Sequence, residues 1–306
     1  MITDKIINPY IRHMCKDKLI SSQHGGRENR GVNTAKIELL LGAKEKGYNK
    51  ALLIDIKRAF DNINREELRM QIDIFSQDNP VLKTLLNNLI DIYDNIDYEI
   101  CEHVIEPKRG IPQGSVFGPL LFIIYINETL KDLKNTLPNI ISEAFIDDII
   151  IMSNDINQLK KAYVFLKTKL KKLQMNLNPK KCEILSENQN DLIVDEEENI
   201  TLYSKTHTKY LEQIINSRGE QMEIIKTSEI KRISSIINNT ISMLSRRARI
   251  KIYKTYIRCK YQHLIPLIAT TDNLLNSWKS IRKNIFSDTL LGNKLPREAA
   301  VLMEIS

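Results

Sequence analysis

Two adjacent aspartates interrupt an apolar segment, EAFIDDIII, between Glu143 and Ile151. Isoleucine, phenylalanine and alanine favour burial, whereas burying a carboxylate is costly unless a cation compensates its charge. EAFIDDIIIMS has the composition and the length of two short strands that join at the acidic pair. The segment therefore predicts a hairpin whose tip holds Asp147 and Asp148 close together.

A third acidic residue, Asp55, ends another apolar run, KALLIDI (50–56), which has the length of a buried strand. Mg²⁺ prefers oxygen ligands and is usually held by one or two carboxylates together with substrate phosphates. Two such ions, about 4 Å apart, activate an attacking hydroxyl and stabilise a leaving pyrophosphate. We therefore expect Asp55, Asp147 and Asp148 to form one magnesium site, although a lone aspartate at a strand end is commonly a turn or cap residue.

Capping signals and hydrophobic periodicity predict several further elements. NREELRMQIDIF begins with Asn64 as an N-cap and has Glu67 three residues later, which is a capping-box pattern. GPLLFIIYINETL is typical of a buried helix entered through Pro119, and the apolar stripe from Ile156 to Leu173 predicts another helix. DYEICEHVIEP alternates like one strand. This order of strands and helices indicates a mixed α+β fold followed by a helical region.

Basic residues are concentrated towards the end of the chain. The window from Lys226 to Lys260 holds ten Lys or Arg and one acidic residue, so its charge exceeds the net +7 of the whole chain. Such a window indicates a phosphate-binding surface, although a solvated helix face has a similar composition. Four scattered cysteines, a charged N-terminus and apolar runs far below about 20 residues predict an intracellular protein, nuclear or cytoplasmic, that is not secreted and enters no membrane.

Six segments occur in the order found in a known family. They are SQHGGRENRG (22–31), LLIDIKRAFDNINREEL (52–68), RGIPQGSVFGPLLFIIYIN (109–127), AFIDDIII (144–151), LNPKKCEIL (177–185) and KYLEQIINSRG (209–219). Through them, residues 19–269 resemble the reverse transcriptases of non-LTR (LINE-type) retrotransposons, with group II intron enzymes as cousins. The resemblance implies a right-hand polymerase palm, which is an antiparallel sheet with helices, together with partial fingers and a helical thumb.

The resemblance also divides the chain. It implies partial fingers (1–49), a first palm segment (50–61), a connection between fingers and palm (62–106), a second palm segment (107–221), and a helical thumb with a C-terminal extension (222–306). Relatives carry an Arg-Pro-Ile strand upstream of the fingers motif, and the sequence has no such segment. We therefore expect truncated fingers and a domain that binds template and primer but extends the primer poorly.

The reaction that the resemblance implies is attack of a primer 3′-hydroxyl on the α-phosphate of a dNTP, directed by an RNA or DNA template. It uses two Mg²⁺ ions, for which Mn²⁺ is a possible substitute. Asp55 and Asp147 would bridge the ions, and Asp148 would contribute its charge. The backbone carbonyl of Ile56 would add a ligand, whereas Asp61 more plausibly orders the turn and the following helix.

The resemblance further implies contacts with the dNTP. Phe60 stands where relatives have an aromatic residue that excludes a 2′-hydroxyl, although a phenylalanine after a strand also suits a core. Gln113 matches a glutamine that contacts the nucleotide, and Gly114 permits close approach of the backbone. Lys181 matches a lysine that could protonate pyrophosphate, although a solvated lysine fits as well, and Arg27 is a candidate for binding the triphosphate.

Contacts with template and primer are implied for two segments. The residues are Tyr210 and Leu211, in the segment that resembles the primer grip, and Arg246, Arg247, Arg249 and Lys251, in the region that resembles the thumb. In the family the thumb grips the template–primer duplex by its phosphates.

Three positions depart from the motifs of the family. Ile146 replaces a small alanine in the hairpin and adds bulk that could distort the turn. Gly26 replaces a phenylalanine, and Glu212 places a negative charge where the primer grip has glycine. Two other functions therefore stay open: a catalytically impaired element fragment, or a maturase-like protein, either of which acts only as a nucleic-acid-binding module.

Neutralising Arg246, Arg247 and Arg249 together should weaken nucleic-acid binding similarly for all sequences. Contacts with phosphates release counterions, so the slope of log affinity against log salt concentration should become shallower. Binding titrations at several salt concentrations measure this slope. An unaltered slope would mean that these arginines form only a solvated face.

Overall fold

The computed structural model describes residues 2–96, 98–100, 103–105, 107, 109–112, 114–211, 213–220 and 251. The chain divides into two compact units, Met1–Met222 and Glu223–Ser306, and nearly all of the described residues belong to the first. The expected thumb, with Arg246, Arg247 and Arg249, lies outside the described residues. Lys251 is described, and it is helical and exposed.

Helices make up about two fifths of the first unit. They are α1 (Ile2–Cys15), α2 (Val32–Lys46), α3 (Arg65–Phe75), α4 (Pro80–Asp94), α5 (Gly118–Thr136) and α6 (Ile156–Lys172). As the sequence predicts, α3 begins after Asn64, whose side chain accepts a hydrogen bond from the Glu67 N–H. Helix α5 has Pro119 in its first turn and is buried almost continuously from Leu120 to Asn127.

The strands are shorter than the helices. They are β1 (Lys50–Ile54), β2 (Tyr98–Ile100), β3 (His103–Ile105), β4 (Ile141–Phe145), β5 (Asp148–Ser153), β6 (Glu183–Leu185), β7 (Leu192–Asp195), β8 (Ile200–Lys205), β9 (His207–Tyr210) and β10 (Gln213–Asn216). Six of them form one sheet in the order β4-β5-β1-β6-β8-β7, in which only β6 and β8 pair in parallel. The fold is therefore α+β with a mainly antiparallel sheet, as predicted.

One expected strand is a hairpin instead. DYEICEHVIEP contains β2 and β3, which pair antiparallel with Tyr98 opposite Ile105. The alternating pattern of the segment suits either arrangement, because both halves of a hairpin keep the period of two. Folding back gives each half a partner for its backbone hydrogen bonds within the segment itself.

The main sheet is covered on both faces. Ile149 and Ile151 of β5 pack into the larger core with α3, α4, α5 and α6, whereas Ile150 and Met152 pack into a second core with Leu39 of α2. Strands buried on both faces have continuous rather than alternating apolar sequences. This explains why the segment after the aspartate pair is uniformly apolar. Among the described residues, no helix has both the length and the hydropathy needed to cross a membrane.

The turn between β4 and β5 consists of Ile146 and Asp147, because Phe145 already pairs with Asp148. Ile146 has φ 61°, in the left-handed region that a β-branched residue rarely adopts. Its N–H donates to Gln23 Oε1 over 2.9 Å, and its carbonyl accepts from Gln23 Nε2 over 3.1 Å. The bulk of Ile146 therefore does not disrupt the hairpin, since two hydrogen bonds from a distant loop hold the strained residue.

Gly25 provides the space for Ile146. A Cβ atom on Gly25 would lie 2.6 Å from the backbone nitrogen of Ile146 and would also overlap its side chain. The absence of a side chain at Gly25 thus lets the loop between α1 and α2 lie directly against the β4–β5 turn.

Gly25→Ala should destabilise the fold by about 1–3 kcal/mol, because it overpacks a contact that includes backbone atoms. Gly31→Ala is a matched control, since a Cβ atom on Gly31 would meet nothing within 4 Å and its backbone is extended. Urea unfolding of both variants measures the free energies of unfolding. Equal values for the two would refute the close contact between Gly25 and the turn.

Candidate active site

Two neighbouring strands, β1 and β5, bring the carboxylates together where the strands end. Ile54 of β1 pairs with Ile149 of β5, so the next residue of β1, Asp55, lies beside Asp148. Asp147 precedes Asp148 in the two-residue turn. Asp55 and Asp148 line a cleft of ≈ 270 Å³, which is open to solvent between the sheet and the β9–β10 hairpin.

The carboxylates repel one another. The surrounding protein desolvates Asp148, and the charges of Asp147 and Asp55 then add to this effect, so that the pKa of Asp148 rises to about 6. Desolvation by burial, followed by the charge of Asp55, likewise raises the pKa of Asp147. The three side chains thus form a site with excess negative charge, which protons or cations would relieve.

The backbone after β1 is held by an isolated bridge between Ile56 and Leu177. Its hydrogen bonds run from the Lys57 N–H to the Asn176 carbonyl and from the Asn178 N–H to the Asp55 carbonyl. The bridge therefore uses the groups on either side of Ile56 and does not engage the Ile56 carbonyl itself. This carbonyl is the group that the sequence comparison with polymerases singles out as a possible metal ligand.

Lys181 lies at the same cleft, as the sequence motif predicts. Its Nζ is 3.9 Å from Asp55 Oδ1, and its side chain is 69% exposed. At this distance the lysine partly offsets the negative charge of the cleft. Its exposure leaves it free to turn towards a group that enters the cleft.

The β9–β10 hairpin forms the opposite wall, with Tyr210 and Leu211. Burial, followed by the charges of Asp148 and Glu143, raises the pKa of Tyr210. Within the described part of the chain, the Tyr210 hydroxyl is buried and has no hydrogen-bond partner. Leu211 has φ 44°, and its carbonyl accepts a hydrogen bond from Lys36 Nζ of α2 over 2.7 Å. The wall thus presents a buried hydroxyl beside the carboxylates.

Two of the expected dNTP-binding residues have other contacts. Phe60 stacks on Phe122 of α5 with ring centroids 5.2 Å apart, which is the core position that the sequence also allowed. The Arg27 guanidinium donates to the carbonyls of Lys16, Ile20 and Gln23, so it holds the loop after α1 together. Neither residue lines the cleft.

The loop before α5 is described in part. Gly114 has φ 85°, a conformation that glycine adopts without strain, and a Cβ atom there would meet nothing within 4 Å. Gln113 lies outside the described residues, and so does Glu212 of the hairpin.

The structure adds residues that the sequence did not single out. Glu183 and Thr208 line the cleft and hydrogen-bond to each other. Gln23 holds the turn at Ile146, as described above. Gln23 is the glutamine of the segment SQHGGRENRG, so the motif marked the residue but not the contact that it makes.

The reverse transcriptase (RNA-dependent DNA polymerase) family profile matches residues 1–228. The chain therefore belongs to the reverse transcriptase family. It is 25% identical over 268 residues to a Pol polyprotein from the type-1 retrotransposable element R2 of Nasonia vitripennis, a match that covers 79% of this chain and 25% of the relative. It is 27% identical over 137 residues to the SLACS 132 kDa protein of Trypanosoma brucei gambiense, covering 44% of this chain and 11% of that protein.

Solved structures share the fold at low sequence identity. Telomerase from Candida Tropicalis in complex with a TWJ fragment of telomeric RNA aligns with TM-score 0.59 and 12% identity, covering 100% of this chain and 57% of that chain. Apo telomerase from the same organism aligns with TM-score 0.55 and 13% identity, covering 92% and 48%. The chain thus spans a quarter or less of the two retrotransposon proteins and about half of the telomerase chains.

A pH titration in chelator tests the raised pKa of Asp148, which desolvation and the neighbouring carboxylates cause. A carboxyl group whose pKa is raised in the folded state stabilises the fold while it is protonated, and this stabilisation is lost as the pH rises through the folded-state pKa. With an ordinary value near 3.8 and a folded value of about 6 for Asp148, the loss falls between these two pH values. The wild type should therefore lose thermal stability relative to Asp148→Asn over this interval. Parallel stability profiles would contradict the raised pKa of Asp148.

Proposed function

We propose that this chain catalyses template-directed DNA synthesis from dNTPs with RNA or DNA as template. The observation that carries the proposal is the convergence of Asp55, Asp147 and Asp148 at neighbouring strand ends, beside an open cleft that Asp55 and Asp148 line. Membership of the reverse transcriptase family supports the same reaction. The retrotransposon relatives support an origin in a retrotransposable element.

The residues at the cleft fit divalent cations. Ionised carboxylates are acceptor-only oxygen ligands of the kind that Mg²⁺ and Mn²⁺ prefer. Desolvation, followed by the charges of the neighbouring carboxylates, raises the pKa values of Asp147 and Asp148, and a bound cation would offset both effects. We infer that Asp55 and Asp147 hold two ions, with the Ile56 carbonyl as a further ligand and Asp148 as a supporting charge. When bound, such ions activate the attacking hydroxyl and stabilise the leaving pyrophosphate.

Lys181 and the hairpin wall complete the arrangement. The exposed Lys181 ammonium lies within 3.9 Å of Asp55 and can turn to the pyrophosphate as a proton donor and a counter-charge. Tyr210 and Leu211 form the wall that faces the carboxylates, where a primer terminus would have to lie for its hydroxyl to reach them. Gln113 and Gly114 would approach the nucleotide from the loop before α5.

Phe60 would have to select the sugar from its stacked position against α5. Its ring is stacked on Phe122, so contact with a dNTP sugar would have to come from the exposed part of the ring rather than from a residue that projects into the cleft. Binding of the triphosphate by Arg27 would likewise require its guanidinium to leave three carbonyl partners.

Asp147→Asn should abolish primer extension, because it removes a ligand that no neighbouring carboxylate replaces. Template–primer binding should persist, since phosphate contacts made elsewhere supply most of the affinity. Asp61→Asn is a matched control, an exposed aspartate in the same chain segment as Asp55 that does not line the cleft. Extension assays and binding titrations on the three proteins measure both effects.

Wild-type-like extension by Asp147→Asn would refute the assignment of the site. If the wild type itself binds template and primer but does not extend the primer, the chain acts only as a nucleic-acid-binding module.

A further inference from the structure

A second cluster of ligand-type side chains lies between the loop before α2, helix α2 and strand β4. His24 of the loop, Glu38 of α2 and Glu143 of β4 each place one donor atom within 4.8 Å of the others. His24 Nε2 is 2.8 Å from Glu143 Oε2 and 3.6 Å from Glu38 Oε2. Atoms that bind one tetrahedral metal at about 2.0–2.1 Å lie roughly 3.3 Å apart, so small movements would fit these atoms to an ion.

Hydrogen bonds to the loop favour one tautomer of the His24 ring. Thr34 Oγ1 accepts from the Gly31 N–H and donates its only proton to the Gly31 carbonyl over 2.8 Å. His24 Nδ1 lies 2.9 Å from this hydroxyl and is the donor in that contact when the Thr34 proton points to the Gly31 carbonyl. Arg30 Nη1, 3.4 Å from the same Nδ1, instead donates to the Ser21 carbonyl over 2.6 Å. In the neutral ring, Nε2 consequently carries a lone pair that faces the two carboxylates.

His24 Nε2 and Glu143 Oε2 are at hydrogen-bond distance, so a proton or another cation has to lie between them. The His24 side chain is 0% exposed and that of Glu143 is 11% exposed, so water does not screen their repulsion. A proton would satisfy this pair, and burial does raise the pKa of Glu143. A single proton bridges only two atoms, however, whereas three donor atoms converge here. A metal ion uses all three.

The donor set indicates which metal. One imidazole nitrogen and two carboxylate oxygens suit Zn²⁺ or a similar transition ion better than Mg²⁺, which prefers oxygen alone. The ring N–H held by Thr34 is the support that histidine ligands of metals usually have. Arg30 Nη1 lies 3.3 Å from Glu38 Oε1 and 3.4 Å from Glu38 Oε2, so it holds this carboxylate beside His24.

We propose that His24, Glu38 and Glu143 bind one divalent transition-metal ion of the Zn²⁺ class, at a site distinct from the carboxylate cleft. The ion joins the loop and α2 to β4, the strand that leads into the Ile146–Asp147 turn. The ion would have a structural role. Gln23 already anchors this loop to Ile146, and the ion would anchor it to β4 at a second point. This metal-site proposal does not depend on the proposed polymerase function, and its test is separate.

Calorimetric titration of Zn²⁺ into the full chain carrying Asp147→Asn tests the proposal, because this background weakens the carboxylate cleft as a competing site. We expect affinity to fall at least about tenfold in His24→Gln and in the half-exposed Glu38→Gln, and about 10–100-fold in Thr34→Val, which removes the partner of Nδ1. His13→Gln, which alters an exposed histidine on α1, is the matched control and should leave affinity unchanged.

A measurement of proton release distinguishes binding of a metal ion at this site from mere sharing of a proton between His24 and Glu143. Titrations in two buffers of different ionisation enthalpy should show that Zn²⁺ displaces a proton from the His24–Glu143 pair, and this release should vanish in His24→Gln. Circular dichroism shows whether each variant is folded. If His24→Gln does not fold, Glu38→Gln provides the test. The proposal is overturned if the Asp147→Asn chain binds no Zn²⁺, or if Glu38→Gln and the folded His24→Gln bind it as tightly as His13→Gln.

Discussion

Three like charges share one edge of the central sheet, and their repulsion is the constraint around which the fold is arranged. Strand pairing forces Asp55 beside Asp148, and the turn adds Asp147. Desolvation, together with the charges of Asp147 and Asp55, raises the pKa of Asp148 to about 6. Apolar strands buried on both faces supply the rigidity that keeps them there. A cation would convert this unfavourable arrangement into a binding site.

The loop between α1 and α2 is the main support of the acidic turn. Gln23 makes two hydrogen bonds that hold the strained, left-handed backbone of Ile146, and Gly25 leaves room for the isoleucine side chain. The His24 backbone N–H also donates to the Ala144 carbonyl of β4 over 2.8 Å. The loop thus acts as an additional partner for β4. Its Gln23 and Gly25 accommodate the isoleucine that this chain has at position 146.

The sequence predicted the features that depend on local patterns. The hairpin at Asp147, the N-cap at Asn64 and the buried helix after Pro119 follow from composition and spacing within a dozen residues, and the structure confirms them. It could not predict contacts between distant segments. Gln23 and Ile146 are 123 residues apart, and only folding brings them together. The stacking of Phe60 on Phe122 is another such contact, so the motif alone did not decide between cleft and core.

Anomalous scattering from Mn²⁺ tests the central claim most directly. Crystals of the chain with template–primer, a non-hydrolysable dNTP and Mn²⁺ would locate the ions independently of any assay. The account predicts anomalous peaks in direct contact with the carboxylates of both Asp55 and Asp147, within the cleft beside Asp148 and Tyr210. A complex in which the nucleotide is bound and no peak touches either of these two carboxylates would contradict the account.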